Sequence, residues 1–217
     1  SYNDPRINFV KNEKNLGVSN TINKALSIIK TQYVVRVDQD DVNLPNRIEE
    51  QIAYLDENPD IDIVCSWEHT INSKGQKIKS WKRKLDNYGE FLGYVLIGIC
   101  PIWHPSITFK TKAMVDAGGF DKSYIRAEDF EVTTRLALQR YGAAIVPKFH
   151  LLQRQHDSSQ SSEFADEQAS VSRRIHIEAI TSFSSHPDIE LLGDFLSFEL
   201  AEKNLKIRRE DLVRIHA

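Results

Sequence analysis

The sequence lacks the features that would tie its fold to disulfides, a membrane or nucleic acid. Its two cysteines, Cys65 and Cys100, are too few for a disulfide framework or a metal knuckle, which favours a reducing compartment, the cytoplasm. The longest uncharged apolar run, residues 91–103, is interrupted by two glycines and a proline, and a membrane-spanning helix needs about 20 residues. We therefore expect no transmembrane helix.

Charge of one sign is not in excess either. The chain has 28 Lys+Arg against 31 Asp+Glu, a formal net charge of -3, so nucleic acid is not an expected partner. The first six residues contain no apolar secretory segment, and no export signal is expected from them.

What is present is an ordinary globular composition with alternating strand and helix patterns. With 41% hydrophobic and 27% charged residues, 217 residues suffice for one or two domains with a real core. We predict strands over 7–10, 33–38, 62–67, 106–110, 143–146 and 150–153. We predict helices over 18–29, 45–57, 88–99, 112–117, 128–141, 164–179 and 189–205, with a hairpin turn at 73–75. This order predicts an α/β fold with a mainly parallel sheet flanked by helices over residues 1–160, followed by a helical extension over 161–217.

An acidic run, Asp38-Gln39-Asp40-Asp41, follows the predicted strand at 33–38. Side chains alternate along an extended chain, so Asp38 and Asp40 should project to the same side at the strand's carboxyl end, where open α/β sheets bind ligands. Paired carboxylates suit Mg²⁺ or Mn²⁺ together with substrate phosphates. A solvated acidic turn that caps the next helix explains the same residues equally well.

A second acidic pair, Glu128-Asp129, opens a predicted helix. Carboxylates at a helix N-terminus complement the helix dipole, and from the residues alone this structural interpretation is favoured over a catalytic one. His156 precedes a Ser-rich loop at 157–162, and a single histidine is more often structural than a ligand.

Several short motifs, taken in order, resemble those of family 2 glycosyltransferases with the GT-A fold. The matching segments are Asn15-Leu16-Gly17, Asn23, Asp38-Gln39-Asp40-Asp41, Pro45, Arg47, Gly119-Phe120-Asp121, Glu128-Asp129, Arg135 and His156. The resemblance covers about residues 6–160. It leaves the C-terminal helices unassigned and provides no counterpart for His69, His104 or His150.

The resemblance implies a GT-A-like, Rossmann-like domain that transfers a sugar with inversion from a nucleoside-diphosphate sugar, with a UDP-sugar favoured, to an acceptor hydroxyl. Asp38 would contact the donor ribose or the metal shell, and Asp40 and His156 would hold Mn²⁺ or Mg²⁺ at the diphosphate. The further donor-binding residues that it implies are Asn15, Gly17 and Asn23.

For the chemical step, the resemblance implies that Asp129 deprotonates the acceptor hydroxyl and that Glu128 positions the acceptor or the backbone. The acceptor would be a glycan or glycolipid in surface-polysaccharide or glycolipid assembly. A peripheral position at the inner face of the membrane and a homo-oligomer are further expectations. A nucleotidyltransferase and a non-catalytic nucleotide-sugar-binding or interaction module are the alternative functions.

Two surface features add to these expectations. Trp103-His104-Pro105, Trp67 and Trp81 could form an acceptor-side surface, because aromatic faces stack on sugars, although core packing or hairpin contacts are favoured for each one individually. Residues 1–8 resemble the approach to the third strand of the family. We therefore expect the strand over 34–38 or its neighbour to lie at an uncovered sheet edge that favours self-association.

Overall fold

A six-stranded mixed sheet with helices packed against it forms the body of the chain. The computed structural model describes residues 4–155 and 164–183. The strands are β1 (Tyr33–Val35), β2 (Val42–Asn43), β3 (Ile63–Ile71), β4 (Lys77–Trp81), β5 (Thr108–Lys110) and β6 (Ala143–Arg154). The helices are α1 (Val18–Leu26), α2 (Arg47–Glu57), α3 (Tyr88–Leu96), α4 (Thr111–Asp116), α5 (Glu128–Leu138) and α6 (Ala165–Phe183), with a 3-10 turn at His104–Ser106.

The sheet order β1-β5-β3-β6-β2 places three strand ends at one edge. β3 runs parallel to β6, and both β1 and β3 pair antiparallel with β5 between them. β1, β3 and β6 therefore point in the same direction and end at the same edge of the sheet. This is the edge at which open α/β sheets bind ligands.

The α/β fold is confirmed, but the expected mainly parallel sheet is wrong. Among the pairings in the described part of the chain, only β3 with β6 is parallel. The predicted turn at 73–75 returns β4 antiparallel along β3, and β2 folds back against the end of β6. The short connection between β3 and β4 is too short for the crossover that a parallel neighbour requires, whereas β2 and β6 are paired antiparallel across about 100 residues of chain.

Residues 7–10, predicted as a strand, form none. Ile7, Phe9 and Val10 are exposed. An apolar run becomes a strand only where a neighbouring strand pairs with its backbone groups. Within residues 4–155 and 164–183 the sheet instead ends at β1, which is an edge strand there, as expected.

Alternate residues of the central strands enter two separate apolar layers. Cys65 of β3 and Ile145 of β6 belong to the larger cluster, which also contains Phe91 of α3 and Leu136 of α5. The neighbouring positions, including Val64, pack in a smaller cluster with Leu55 of α2. Burial on both faces, at about 25 cal/mol per Å² of apolar surface, stabilises the sheet and fixes the strand ends that carry the acidic residues.

Helix α6, the last of the described helices, packs against α3 and α5 and buries Ile175, Ala179 and Phe183. None of the described helices combines the length and the apolar character needed to cross a membrane. His156, the loop at 157–162 and the predicted helix at 189–205 lie outside the described residues. The division of the chain at residue 160 remains a prediction.

Candidate active site at the carboxyl edge of the sheet

The acidic run forms a turn that leaves β1 at the carboxyl edge. The amide of Asp41 donates to the carbonyl of Asp38 at 3.3 Å, which closes the turn. Arg154, the last residue of β6, donates its backbone N–H to the Asp41 carboxylate at 2.8 Å and its Nε to the Asp40 carbonyl at 3.1 Å. The end of β6 therefore fixes the shape of the acidic turn.

A buried arginine holds the turn from the other side. Arg47 is 1% exposed and donates to the Arg36 carbonyl at 3.0 Å and to the side-chain oxygen of Asn43. Its Nε also donates to Gln51 at 3.2 Å, and Gln51 bridges onward to Ser106 and the start of β5. These bonds fix the chain at residues 36 and 43, on either side of the acidic run.

Asp38 is engaged by a neighbouring cation. The guanidinium of Arg36 donates to both oxygens of Asp38, with a shortest distance of 3.1 Å. Another nitrogen of the same guanidinium lies 2.9 Å from Nδ1 of His104. Arg36 thus links the acidic turn to the 3-10 turn that precedes β5.

The chemistry of the acidic turn suits a divalent cation. Burial, followed by the charges of Asp40 and Asp38, raises the pKa of Asp41 above its usual range. Crowded carboxylates of this kind are stabilised by a cation, and hard oxygen ligands are those that Mg²⁺ and Mn²⁺ prefer. Within residues 4–155 and 164–183, no three His, Cys, Asp or Glu side chains are grouped to hold a metal. A cation here would need further ligands, such as substrate phosphates.

Glu128 and Asp129 open α5, as the sequence predicts. Burial, followed by the Asp129 charge, raises the pKa of Glu128, and Arg36 partly offsets this effect. Asp129 accepts from the amide of Phe130 at 2.8 Å. Burial lowers the pKa of His104 well below its ordinary value, and the carboxylates of Asp129 and Asp38 partly offset this effect. Acids of both predicted motifs therefore lie within electrostatic range of the same imidazole.

The turn before α5 is fixed by contacts with α1 and α5. Asn23 of α1 accepts from the Phe120 amide at 2.8 Å and donates to the Phe120 carbonyl at 2.7 Å. Gly119 has φ +69° at this point, and a Cβ there would lie 2.5 Å from the Asn23 oxygen. Arg135 of α5 donates to the Gly119 carbonyl at 2.6 Å. The predicted donor-binding Asn23 therefore already has a partner in the glycine-phenylalanine turn.

The other predicted donor-binding residues lie before α1. The side-chain oxygen of Asn15 accepts from the Gly17 amide at 2.9 Å, and Gly17 adopts φ +76°. Both are part of the turn that starts the helix. Their role toward a donor remains a prediction, as does that of His156.

The sequence assigns no role in the site to Arg36, and it offers His104 only as a neighbour of Trp103 on a possible acceptor surface. The strand pattern includes Arg36 without a further role, although Arg36 stands two positions before Asp38, the spacing that puts two side chains on one side of an extended chain. No sequence pattern could have assigned His104, because its partner Arg36 is 68 residues away.

A buried carboxyl was also missed. Glu68 of β3 is fully buried, and its two oxygens have no hydrogen-bond partner in the described part of the chain. Burial and the charge of Asp41 raise its pKa to about 8, and the nearby indole N–H of Trp103 partly offsets this effect without reaching full hydrogen-bond geometry.

The three tryptophans are divided between two separate aromatic contacts. Trp103 packs on Trp81 with ring centroids 5.1 Å apart, whereas Trp67 meets Phe149 edge-on at 5.5 Å. A cavity of about 240 Å³ opens beside Trp67, and Lys82 lies over that ring. A shared acceptor surface for the tryptophans remains a prediction.

Comparison with known proteins gives a consistent assignment. The model of Glycosyl transferase family 2 matches residues 1–118, just over half of the chain. An uncharacterized glycosyltransferase of Methanocaldococcus jannaschii, MJ1057, is 34% identical over 148 residues, which are 68% of this chain and 50% of that protein. The Escherichia coli UDP-Gal:alpha-D-GlcNAc-diphosphoundecaprenol beta-1,3-galactosyltransferase is 30% identical over 115 residues, 52% of this chain and 40% of that enzyme.

A solved structure shares the fold. S. aureus TarS 1–349 in complex with UDP-GlcNAc superimposes with a TM-score of 0.57 at 18% identity, covering 90% of this chain and 58% of that one. The chain spans about half the length of the curated relatives that it matches.

Proposed function

The chain belongs to glycosyl transferase family 2, and on this premise we propose that it moves a sugar with inversion from a nucleoside-diphosphate sugar to an acceptor hydroxyl. The relatives are named as glycosyltransferases, which favours glycosyl transfer over nucleotidyl transfer and over a non-catalytic module.

One observation carries the proposal. The acidic turn after β1 and the acidic pair at the start of α5 are far apart in sequence, yet Asp38 and Asp129 both act on the pKa of His104. Inverting transfer needs two such groups on either side of the sugar. One side stabilises the departing diphosphate and the other removes the proton of the attacking hydroxyl.

On the donor side, we assign the diphosphate to the acidic turn. Asp40, together with His156, is proposed to hold Mn²⁺ or Mg²⁺, and Asp38 to contact the ribose or the metal shell. The bound ion would supply positive charge to the leaving diphosphate. The solved structure with UDP-GlcNAc supports a UDP-sugar as donor, and Asn15, Gly17 and Asn23 remain the proposed supporting residues.

On the acceptor side, Asp129 is proposed as the general base. It takes the proton of the acceptor hydroxyl while that oxygen forms a bond to the anomeric carbon, and the bond from this carbon to the diphosphate breaks with its electron pair. One displacement inverts the anomeric configuration. Glu128, whose pKa is raised mainly by burial, is proposed to position the acceptor or the helix start.

The acceptor is proposed to be a glycan or a glycolipid. The name of the E. coli relative includes a diphosphoundecaprenol-linked sugar, which supports a role in surface-polysaccharide or glycolipid assembly. Cytoplasmic location, peripheral membrane association and self-association remain predictions.

The test combines a donor panel with one base variant. The protein is incubated with Mn²⁺, UDP-sugars and p-nitrophenyl glycosides, and products are identified by mass spectrometry and their anomeric configuration by NMR. We expect Asp129→Asn to lower kcat by about 10²- to 10⁴-fold while the Kd of UDP stays unchanged, because a general base acts only in the transition state.

Asp116→Asn, at an exposed ion pair with Lys112 on α4, is the matched control and should retain activity. Equal losses of turnover and UDP affinity in Asp129→Asn would indicate a structural role for this residue. Absence of transfer from every donor would refute the proposed function itself.

A further inference from the structure

His104 carries a hydrogen-bond donor whose position is set by its neighbours. The imidazole is 4% exposed, and its Nδ1 lies 2.9 Å from a guanidinium nitrogen of Arg36. A guanidinium can only donate, so Nδ1 must accept and the ring proton must reside on Nε2. Burial, reinforced by the Arg36 cation, lowers the pKa of His104 well below its ordinary value, despite the nearby carboxylates. The ring is therefore neutral at physiological pH.

The N–H on Nε2 is buried and has no partner among the described residues. Buried donors are nearly always paired, and an unpaired donor at a functional edge indicates a missing ligand or water. The ring cannot turn freely to find another partner, because Arg36 holds one nitrogen and Phe120 packs against it edge-on at 5.7 Å. The donor thus has a fixed direction.

Its surroundings indicate what it would bind. Asp129 is the charged residue that most strongly offsets the effect of burial on the pKa of His104, so the proposed base lies within electrostatic range of the imidazole. The carboxylate of Asp129 accepts from the Phe130 amide, and no bond joins it to His104 in the described structure. A sugar hydroxyl suits such a donor, since its oxygen accepts one hydrogen bond while its own proton is donated elsewhere.

We infer that the Nε2–H of His104 donates to the acceptor hydroxyl adjacent to the one that Asp129 deprotonates, so that the acceptor site selects a vicinal diol. This inference rests on the proposed function. The adjacent hydroxyl is the better partner, because a donor on the reacting oxygen would withdraw the electron density needed for attack on the anomeric carbon. Arg36, which holds both His104 and Asp38, then aligns the acceptor with the donor side of the site.

Two substitutions of His104 distinguish the roles of its two ring nitrogens. His104→Gln keeps an N–H donor near the position of Nε2. His104→Asn places an amide near the position of Nδ1, where it can still accept from Arg36 but cannot reach the diol. With p-nitrophenyl glycosides of glucose, galactose and N-acetylglucosamine as acceptors, we expect His104→Asn to lower kcat/KM for the acceptor by about 10- to 100-fold. The Kd of UDP should not change, and His104→Gln should recover most of the loss.

Deoxy acceptors allow a double-mutant cycle between His104 and the adjacent hydroxyl of the acceptor. With the wild-type protein, kcat/KM should fall by the same factor for the glycoside that lacks the hydroxyl adjacent to the reacting one. With His104→Asn, removing this hydroxyl should cause no further fall in kcat/KM. Independent losses for the two changes would overturn the inference, and so would a fall in UDP affinity that matches the fall in activity.

A spectroscopic measurement decides the inference separately from activity. ¹⁵N NMR of histidine-labelled protein should show His104 as the neutral Nε2–H tautomer at pH 7. Its Nε2 signal should move when a methyl glycoside with the diol is added and stay in place with the deoxy analogue. A Nδ1–H tautomer, or equal shifts with both glycosides, would overturn the role of His104 even if the enzyme transfers sugar. Absence of transfer with the expected shifts would instead count against the proposed function.

Discussion

Replacement of Glu68 by glutamine should change how the stability of the protein depends on pH. Glu68 is fully buried in the central strand β3, and burial together with the Asp41 charge raises its pKa to about 8. In the unfolded chain the same carboxyl has its ordinary pKa of 4.5. The folded state therefore holds the proton more tightly than the unfolded state does.

The direction of the pH dependence of stability follows from this difference between the folded and unfolded pKa values. The contribution of Glu68 to stability is fully present below pH 4.5, falls as pH rises, and is lost once pH passes about 8. At about 1.4 kcal/mol per pH unit the ceiling over this window is about 5 kcal/mol, and relaxation around the buried charge should leave about 2–4 kcal/mol. Glutamine keeps the shape without the titration, so Glu68→Gln should lose less stability between pH 5 and pH 8 than the wild type.

Urea unfolding at pH 5, 6.5 and 8 measures this difference. Glu49→Gln, at an exposed position of α2, is the matched control and should follow the wild-type pH dependence. Parallel stability curves for Glu68→Gln and the wild type would refute the reasoning, because they would mean that Glu68 titrates alike in the folded and unfolded states.

Three further predictions concern the supports of the site. Gly119→Ala should lower stability by about 2–4 kcal/mol in thermal unfolding, since its Cβ meets the Asn23 oxygen at positive φ; Gly75→Ala, also at positive φ but in open space, should cost only about 1 kcal/mol. Arg47→Lys should lower stability by about 2–4 kcal/mol and raise the Kd of UDP, because one ammonium cannot form all the hydrogen bonds by which the guanidinium holds the acidic turn. Unchanged UDP affinity would contradict that role. Asp40→Ala should abolish Mn²⁺-dependent UDP binding in calorimetry with little loss of stability, and intact Mn²⁺-dependent binding would refute the metal assignment.

The sequence predicts the elements better than their pairing. The hairpin turn at 73–75 and the start of α5 at Glu128 are both confirmed, because glycine at positive φ and acids at a helix N-terminus are local signals. The failure at residues 7–10 and the antiparallel pairings have another origin. Whether an apolar run becomes a strand, and in which direction, depends on partners elsewhere in the chain.

The same limit applies to the site. The order of the motifs located the acidic turn and the acidic pair, but it assigned Asn23 to the donor without revealing its bonds to Phe120, 97 residues away. Arg36, His104 and Glu68 acquire their properties from burial and from distant neighbours. Neither burial nor a distant neighbour can be predicted from the spacing of residues along the chain.

The position of β6 in the sheet determines when the site can form during synthesis. β6 pairs with β3 across a separation of about 80 residues, pairs with β2, and holds the acidic turn through Arg154. Closing so long a loop is slow compared with forming the hairpin of β3 and β4. Until residue 154 has left the ribosome, one edge of β3 is uncovered and the acidic turn lacks its contacts with Arg154. A nascent chain is therefore exposed to edge-to-edge aggregation in this interval, and a chaperone that covers β3 would act before any donor could bind.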